Sequence, residues 1–409
     1  MTVEMKKYRL ADIAEIVISS VDKKTKPGEK IVRLCNFTDV YHNWAIKQSD
    51  YDSFMVASAS DNNINKLSLK KGFVAFTKDS ETRDDIGIST YIADDFDDVV
   101  LGYHCALAKP NEKIVYGKYL NAFMSSDYIK KYFELNATGS GMRFTLAVST
   151  MEDMPIMLPS LNVQKKIGDM LSDFDKRIEN LRAQNRVLEQ TAKTIYDYTF
   201  LQCAGHQTTY NKTLNRNIPA DWEIDNLYRI ADFTNGLACQ KYRPITEKEK
   251  LPVIKIREMH DGVTADTEFV RSDIPEKVIV NPGDLLFSWS ASLEVMMWNG
   301  VKGGLNQHIF KVTPKEYFSL YFVYFQLKDY IGNFKRMAEA RKTTMGHITT
   351  DHLNQSRIAI PDEETMKRFS SLVTPLFKKQ LVNSQQIETL TTQRNTLLPL
   401  LMTGQVGVK

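Results

Sequence analysis

The stretch VQKKIGDMLSDFDKRIENLRAQNRVLEQTAKTIYDYTF, residues 163–200, places one side chain of a regular series at alternating steps of four and three residues. This is the a/d spacing of a coiled coil, in which one side of a long helix packs against a partner helix. At 1.5 Å of rise per residue, the stretch predicts a helix of roughly 57 Å. The spaced positions are Ile167, Leu171, Phe174, Ile178, Leu181, Asn185, Leu188, Ala192 and Ile195.

The same spacing returns later in the chain, and every position of the first series has a counterpart 202 residues on. Pro159 and Pro361, which precede the two stretches, are also 202 residues apart. Pro375 is expected to kink the second helix or to delay its regular start. Gly404 is a stop signal for it. The second series consists of Phe369, Val373, Leu376, Gln380, Asn383, Ile387, Leu390, Arg394, Leu397 and Leu401.

A helical apolar stripe is usually part of an ordinary core, but a strict 3.5-residue period, found twice in one chain, favours a coiled coil. Two such helices in register with a duplication are predicted to pair with each other. Asn185, Gln380, Asn383 and Arg394 interrupt the seam. Polar residues at such positions cost stability, and they are expected to fix the register and orientation of the pair.

Each predicted helix follows a block of similar length that is rich in short strand-like runs bounded by Gly, Pro and Asn. Amphipathic segments at 118–134 and 317–337 are predicted helices. The fold class is therefore α+β. Two mixed α+β domains are joined by two long helices that pair as an antiparallel coiled coil, with a pseudo-twofold internal repeat and the domains at opposite ends. The predicted boundaries are 1–160, 161–203, 204–361 and 362–409.

Two further matches extend the repeat into the blocks. LGYHCALAKP (101–110) matches LNQHIFKVTP (305–314), which aligns His104 with His308. LKKGFVAF (69–76) matches VNPGDLLF (280–287), which aligns Gly72 with Gly283. The offsets differ between the two matches, so the two copies carry different insertions.

Composition sets broad limits on the class of protein. The chain has 409 residues, 43% hydrophobic and 25% charged, which is typical of a globular protein of two or three domains. No run approaches a membrane span, and the first residues lack the features of a signal peptide, which predicts a cytoplasmic protein. The four cysteines form no CxxC pair, so we expect reduced thiols and no metal site. A net charge of +3 neither indicates nor excludes a nucleic-acid partner.

Several segments resemble the specificity subunits of Type I restriction–modification systems. MPIMLPSLNVQKKIGDMLSDFDKRIE (154–179) resembles that family's first domain-to-helix junction, with Gln164 and Ile167 in the expected places. The chain departs from the family pattern at Thr365, where glutamine is typical, and at Phe73, where aspartate is common. The other matching segments are VIVNPGDLLFSWSAS (278–292), LNQHIFKVTP (305–314) and LLPLLMTGQV (397–406).

The resemblance implies a DNA-binding subunit that contains two target-recognition domains, each followed by a spacer helix. Its partners would be double-stranded DNA, two methyltransferase subunits and, in a restricting system, two restriction subunits that translocate DNA. S-adenosylmethionine is expected in the methyltransferase subunits, which methylate adenine, and no cofactor is expected in this chain. Because the two domains differ in sequence, the implied target has two unlike halves around a spacer that is not read.

The chain carries no motif for chemistry of its own, and we predict no catalytic residue. It lacks a P-loop, an HExxH motif and the adenine-methyltransferase tetrapeptides NPP[YF] and DPP[YF]. The acid-x-Lys spacing in TEKEK (246–250) is a weak nuclease signal, since charged surface runs are common. His104 and His308 are interpreted as structural histidines bonded to the backbone.

Loops that follow strands are the expected elements for reading DNA bases, because strands hold loops out from a rigid scaffold. Four loops fit this description: KDSETRDD (78–85), ATGSGMRF (137–144), SWSAS (288–292) and RKTTMGH (341–347). Trp289 has a second interpretation, as a packed side chain rather than one stacked on a base. The candidate DNA contacts are Lys78, Ser80, Thr82, Arg83, Ser140, Arg143, Ser288, Trp289, Ser290, Arg341, Lys342, Thr343 and Thr344.

Two alternatives remain open from the residues. One is a non-enzymatic coiled-coil scaffold whose two globular domains bind proteins. The other is a nuclease or methyltransferase in its own right, which the missing motifs disfavour. A system that only methylates and one that also restricts are not separable at this level.

Overall fold

The computed structural model describes residues 4–245, 249–290, 292–340 and 350–408, apart from the side chains of residues 140 and 338–340. The chain forms two compact units. Unit 1 comprises Met1–Glu179 with Thr389–Lys409, and unit 2 comprises Asn180–Glu388.

Unit 1 is a mixed α+β unit of short strands and helices. Its strands are β1 Lys6–Arg9, β2 Ala14–Ile18, β3 Lys30–Cys35, β4 Ala45–Ile46, β5 Met55–Ala59, β6 Val74–Thr77, β7 Asp79–Ser80, β8 Ser89–Ile92, β9 Val99–Leu101, β10 Cys105–Pro110, β11 Thr138–Ser140, β12 Arg143–Thr145 and β13 Pro155–Leu158. Its helices are α1 Phe37–His42, α2 Asp61–Leu67, α3 Gly117–Met124, α4 Asp127–Asn136, α5 Val148–Glu152 and the first part of α6 Leu161–Tyr196.

A five-stranded sheet in the order β2-β10-β6-β8-β4 organises unit 1. Successive side chains of a strand point to opposite faces of its sheet. Accordingly, Val74 and Phe76 enter one buried cluster, whereas Ala75 between them enters another. The sheet is covered on both faces, which explains why its central strands read as continuous apolar runs rather than as an alternating pattern.

Unit 2 has the same kind of composition. Its strands are β14 Thr208–Asn211, β15 Arg216–Pro219, β16 Glu223–Asp225, β17 Ala231–Asn235, β18 Lys250–Ile254, β19 Phe269–Arg271, β20 Ile279–Val280, β21 Leu285–Ser288, β22 Glu294–Met297, β23 Gly303–Leu305, β24 Ile309–Pro314 and β25 Ile358–Ile360. Its helices are α7 Leu227–Ile230, α8 Ile256–Asp261, α9 Leu320–Ala340, α10 Thr350–Gln355, the second part of α6, and most of α11 Glu363–Met402, whose end belongs to unit 1.

The strand order repeats between the units. The order β17-β24-β21-β22 corresponds to β2-β10-β6-β8. In both units a second sheet pairs one strand antiparallel on one side and parallel on the other: β3 with β5 and β9, and β18 with β19 and β23. Gly72 and Gly283 have nearly the same backbone conformation, with φ of +94° and +96°, which favours glycine in both copies. The internal duplication inferred from the sequence is therefore present in the fold.

The long helices α6 and α11 pair antiparallel. Within unit 2, Asn185 contacts Asn383, and Tyr196, further along α6, packs against Phe369, which is earlier on α11. Within unit 1, Ile167 and Leu171 share a buried cluster with Leu401. The seam residues are buried at Ile167, Leu171, Ile178, Phe369, Val373 and Asn383, and half-buried at Phe174, Leu181, Asn185, Leu188, Leu376, Ile387, Leu390 and Leu397.

Two polar layers interrupt the seam, and they differ in chemistry. In unit 1, Arg394 donates to the carboxylate of Asp175, whose side chain is buried. In unit 2, the Nδ2 of Asn383 donates to the Oδ1 of Asn185 at 2.9 Å, and the Nδ2 of Asn185 donates to the Oγ of Ser384 at 3.1 Å. Both layers pair side chains across the two helices, as expected for residues that fix a register.

Some helix predictions need correction. The predicted helix 118–134 is two helices, because the chain breaks at Ser125 and Ser126, where Ser126 adopts an extended conformation before α4. The predicted helix 317–337 is shifted to Leu320–Ala340. Of the two effects predicted for Pro375, the delayed start does not occur, since α11 begins at Glu363 and continues through the proline, and the kink stays a prediction. The first long helix ends at Tyr196 and is followed by a π-helical turn, Asp197–Leu201.

Candidate nucleic-acid interface

Two of the predicted DNA-contacting loops come together in unit 1 as a small sheet. Strand β12 lies between β11 and β7, with Phe144 opposite Ser80 and Thr145 opposite Asp79. Residues about sixty positions apart in sequence are thereby neighbours. The segments predicted as loops 78–85 and 137–144 thus contain short strands, which were missed because strands of two or three residues show no alternation.

These strands form one side of an open groove of about 590 Å³. Side chains from α1 contribute to it as well, including Tyr41, whose hydroxyl donates to Asp85 at 2.9 Å. The groove offers cationic donors, hydroxyls and carboxylates together, and base edges are read by this combination of donors and acceptors. We call it the Asp79 groove; its lining residues are Phe37, Tyr41, His42, Asp79, Ser80, Glu81, Thr82, Asp85, His104, Met142 and Arg143.

Asp79 is the central charge of the groove. Its buried carboxylate accepts from Lys78 Nζ at 2.9 Å and lies 2.6 Å from His104 Nδ1 and 3.5 Å from an Arg143 nitrogen. Burial alone would raise the pKa of Asp79. Hydrogen bonds from Lys78, Thr145 and His104 outweigh burial and hold that pKa at about 2. The carboxylate is therefore ionised at neutral pH, and it organises the cations around it.

The predicted contacts of unit 1 fall into two groups. Ser80, Thr82 and Arg143 line the groove, and Arg83 is exposed with its guanidinium 5.1 Å from the centre of the Phe144 ring. Their contact with DNA stays a prediction. The Lys78 side chain is only 12% exposed and is held by Asp79, so it supports the groove rather than extends from it. Of Ser140, the backbone lies in β11 and the side chain is outside the described residues.

In unit 2, burial changes the interpretation of the SWSAS segment. Ser288 is fully buried, and its hydroxyl donates to the carbonyl of Ser292, so the prediction that Ser288 contacts DNA is wrong for this structure. Ser290 is also buried. Trp289 is half-buried, and its indole N–H donates to Asn235 at 3.0 Å, which supports the packed interpretation of this side chain. Arg341, Lys342, Thr343 and Thr344, and residues 246–248 of TEKEK, lie outside the described residues.

Within the part of the chain that the structure describes, neither aligned histidine bonds to the backbone through its ring, contrary to the prediction. The ring of His104 contacts Asp79 and Arg143. The Nε2 of His308 lies 3.2 Å from the side-chain amide nitrogen, Nε2, of Gln307. In both cases the histidine carbonyl, rather than its ring, makes the backbone contact, by accepting from Lys78 N and from Trp289 N. The ring of His104 thus belongs to the groove.

Other parts of the groove could not be found from the sequence. Tyr41 and His42 lie on the six-residue helix α1, which has no periodicity long enough to detect. Asp79 lies among the donors of the segment KDSETRDD, and nothing in the local sequence indicates that its carboxylate holds them together. Met142 is 88% exposed and lies beside Arg143. Its position in the sequence, as an apolar residue between glycine and arginine, was a signal that could have identified it.

The junction residue Gln164 has a structural role. Its Oε1 accepts from Tyr116 N at 2.9 Å, and its Nε2 donates to the carbonyls of Ile114 and Pro159 at 3.0 and 2.9 Å. In the internal repeat, Gln164 corresponds to Met366, because α6 and α11 begin 202 residues apart, at Leu161 and Glu363. The typical glutamine is thus replaced by a buried methionine in unit 2, and not by Thr365, which bonds to Asp362.

Among the described residues, no group of three or more His, Cys, Asp or Glu is arranged to hold a metal ion. The same residues contain no helix with the length and apolar character to span a membrane. The four cysteines are buried and free.

Comparison with known proteins identifies relatives along most of the chain. The specificity subunit of the Type I restriction enzyme MjaIX of Methanocaldococcus jannaschii is 27% identical over 73% of this chain and 71% of its own length. The specificity subunit of the HindI enzyme of Haemophilus influenzae is 22% identical over 98% of this chain and 100% of its own length. The crystal structure of a Type I system S subunit from M. genitalium has a similar fold, with a TM-score of 0.60 at 13% identity, covering 98% of this chain and 96% of that one.

The family comparison covers both repeats. The family described as "Type I restriction modification DNA specificity domain" matches residues 2–190 and again residues 219–392. The two matches contain the two units' duplicated sheets and most of both long helices. The chain belongs to this family of Type I restriction–modification DNA specificity proteins.

Proposed function

We propose that this chain reads an asymmetric DNA target made of two half-sites, with one recognition domain for each half. The recognition domains are residues 1–160 and 204–361, and the spacer helices are residues 161–203 and 362–409. The observation that carries the proposal is the double match to the DNA specificity family, on a fold whose two copies share their strand order. The residues at matching positions of the two recognition domains differ in chemistry, and this difference supports two unlike half-sites.

The proposed assembly supplies the reaction from other subunits. Two methyltransferase subunits would hold S-adenosylmethionine and methylate adenine, and two restriction subunits would join them in a restricting system. This chain would bring them to the target in the cytoplasm. Its own part is binding: donors such as Arg143 and acceptors such as Asp85 face base edges, while nearby lysines and arginines contact phosphates.

A scaffold with two protein-binding domains is the rival function, and the family comparison favours DNA recognition over it. A binding test separates the two. A DNA-reading complex loses affinity as salt rises, because phosphate contacts release counterions, and it prefers one duplex sequence over others. A protein scaffold shows no preference among duplexes when the methyltransferase subunits are present.

The test is adenine methylation mapped across the genome of cells that express this chain with its methyltransferase partner. A second strain carries the chain with residues 1–160 replaced by the equivalent domain of a relative. We expect a two-part methylated motif of which the swap changes one half only. A motif that changes in both halves would contradict the assignment of one domain to each half. Absence of any motif that depends on this chain, with an active partner present, would contradict the function.

A further inference from the structure

The hairpin formed by β11 and β12 projects at its turn from the small sheet that contains it. Its strands pair Thr138 with Thr145 and Ser140 with Arg143. Strand β7 lies opposite Phe144 and Thr145, so the turn at Gly141 and Met142 extends past the paired part of β7. A two-stranded ribbon of this kind fits the major groove of B-DNA, which is about 12 Å wide.

The backbone of the hairpin is built for close approach between its strands. At Gly139, a Cβ atom would lie 2.2 Å from the carbonyl oxygen of Arg143, and the backbone φ is +132°. Only glycine fits both conditions. The hairpin therefore fixes the position of Arg143, and substitutions at Gly139 would disturb it.

Arg143 combines exposure with support. Its side chain is 57% exposed at the edge of the Asp79 groove. An Arg143 nitrogen lies 3.1 Å from His104 Nε2 and 3.5 Å from Asp79. Most exposed arginines rotate freely, and ordering one costs side-chain entropy. Contacts on one side of the guanidinium reduce that cost and leave its other N–H groups for a ligand.

The ring of His104 lies between the carboxylate and the guanidinium. Its Nδ1 lies 2.6 Å from the Oδ2 of Asp79, and the Nη2 of Arg143 contacts Nδ1 and lies 3.1 Å from Nε2. Asp79, His104 and Arg143 therefore form one cluster, in which the carboxylate and the imidazole hold the guanidinium from one side.

Met142 is a second observation that points to a ligand at the tip. It is 88% exposed, the highest exposure of any large apolar side chain in the described residues. Apolar side chains on DNA-binding elements contact the thymine methyl group or enter between base steps. An apolar tip beside a held arginine suits base edges better than it suits phosphates.

We infer that Arg143 reads a guanine of the half-site recognised by the first domain, through the O6 and N7 acceptors in the major groove, and that His104 and Asp79 are its positioning residues. The inference rests on the proposed function. The bidentate pairing of arginine with guanine is the commonest specific contact between protein and DNA, because the planar guanidinium matches the two acceptors.

The test uses the complete chain assembled with its methyltransferase subunits and duplexes in which single guanines are replaced by 7-deazaguanine, which lacks the N7 acceptor. For the unmodified complex we expect one guanine of the first half-site whose replacement weakens binding by about 10- to 100-fold. For Arg143→Ala, the same replacement should have no further effect, and a different base should be tolerated there. Guanines of the second half-site are the internal reference.

Matched variants separate reading from charge and from folding. Arg177→Ala removes an exposed arginine of unit 1 that lies on α6, outside the Asp79 groove, and it should leave the 7-deazaguanine effect unchanged. Asp79→Asn and His104→Phe should reduce the 7-deazaguanine effect at the guanine read by Arg143, while second-half reading stays intact. This pattern is expected if the two variants only remove the support of Arg143. If they misfold the domain instead, the complex loses all preference among sequences of the first half-site.

The inference is overturned if Arg143→Ala keeps the full 7-deazaguanine effect at every first-half guanine, or if no such guanine exists. In either case a retained two-part motif leaves the proposed function standing. If the unmodified complex shows no preference among duplexes at all, the proposed function itself fails.

Discussion

His104 in unit 1 and His308 in unit 2 occupy the same place in two copies of one fold, with different neighbours. Each precedes a strand of the main sheet, β10 or β24, and the carbonyl of each accepts from the residue that follows the paired strand. Around His104 that partner strand leads into Lys78 and Asp79, and the ring joins an ionic chain. Around His308 it leads into Trp289, with ring centres 5.5 Å apart.

The difference shows which parts of the duplicated fold are held constant and which vary. Pairing between the main strands is retained because backbone hydrogen bonds and buried apolar faces do not depend on individual side chains. The residues just past the strand ends differ between the copies: Asp79 is buried in an ionic cluster, whereas Trp289 packs against the core of its unit. Under the proposed function, the ionic cluster in one copy and the aromatic cluster in the other would meet different base patterns. Matched variants in the two units measure where their equivalence holds.

The largest expected effect comes from matching phenylalanines in the two sheets. Phe76 stacks on Phe133 at 6.3 Å, and Phe287 stacks on Phe334 at 5.8 Å, with both first members fully buried. Phe76→Ala and Phe287→Ala should each lower the free energy of unfolding by about 3–5 kcal/mol, because each leaves a cavity in a core. Urea denaturation measures the loss, and hydrogen exchange locates it in one unit.

The matched control is Tyr128→Ala, which removes an aromatic ring that is 56% exposed on α4. It should change the free energy of unfolding by less than about 1 kcal/mol. A loss of less than about 1 kcal/mol for one of the two buried phenylalanines would show that the two sheets are not equivalent in their packing.

The next effect concerns the helix junctions, where the copies differ. Gln164→Met gives unit 1 the residue that unit 2 has at Met366. Three backbone groups, one buried and two partly buried, lose their partner, so we expect a loss of about 2–4 kcal/mol in the free energy of unfolding. Met366→Leu, which conserves volume in an apolar site, should cost less than about 1.5 kcal/mol. Equal effects of the two changes would remove the proposed distinction between the junctions.

A smaller effect depends on pH and should arise in unit 1 alone, because Ser290 stands in unit 2 where Asp79 stands in unit 1. The folded-state pKa of Asp79 is about 2, below its ordinary value of 3.8. Its contribution is therefore present at neutral pH and is lost as the pH falls from about 4 towards 2. The full contribution is about 2 kcal/mol, of which about 1 kcal/mol is lost by pH 3.

Urea denaturation of the original chain and of Asp79→Asn at pH 6 and pH 3 measures this contribution. Other carboxylates titrate in both proteins, so the quantity of interest is the difference between their losses. The original chain should lose about 1 kcal/mol more than the variant. Parallel losses would mean that the carboxylate is not held by Lys78, Thr145 and His104 in solution.

Much of the fold was predictable because its strongest signal is long. A seam of regular steps extends over many turns in each helix, and its duplication at a fixed offset doubles the information. Strand runs such as GFVAFT and KVIVNPGDLLFSW were recognisable from apolar residues bounded by glycine and proline. Pro375 does not delay the second helix, because it removes only one backbone hydrogen bond while Val373 and Phe377 on either side of it are buried.

The candidate site was less predictable, because it depends on contacts between distant residues. The sequence selected the segments around Ser80 and Arg143 without indicating that they pair. It also placed Ser288 in a loop, although this residue ends a strand that is buried on both faces. Exposure at a strand end is decided by what covers the sheet, and short-range patterns contain no information on that.

The smallest expected effect tests whether the polar layer of unit 2 is separate from base reading. Asn185→Leu removes the nearer of two acceptors of Asn383, a fully buried amide, together with two contacts in which Asn185 donates. The added apolar surface offsets part of the loss, so the net cost should be about 1 kcal/mol. The double variant Asn185→Leu/Asn383→Leu should recover that stability, because an apolar pair needs no hydrogen-bond partner.

Neither variant should change which bases are read, since Asn185 and Asn383 belong to the helix seam and the Asp79 groove is built from other elements. What should change is the pairing of the helices: the buried amide pair permits one register, and leucine permits more. Cross-linking between cysteines placed along α6 and α11 measures the register, and methylation mapping measures the bases. A variant that reads different bases while its helices keep the original register would contradict this separation of scaffold from reader.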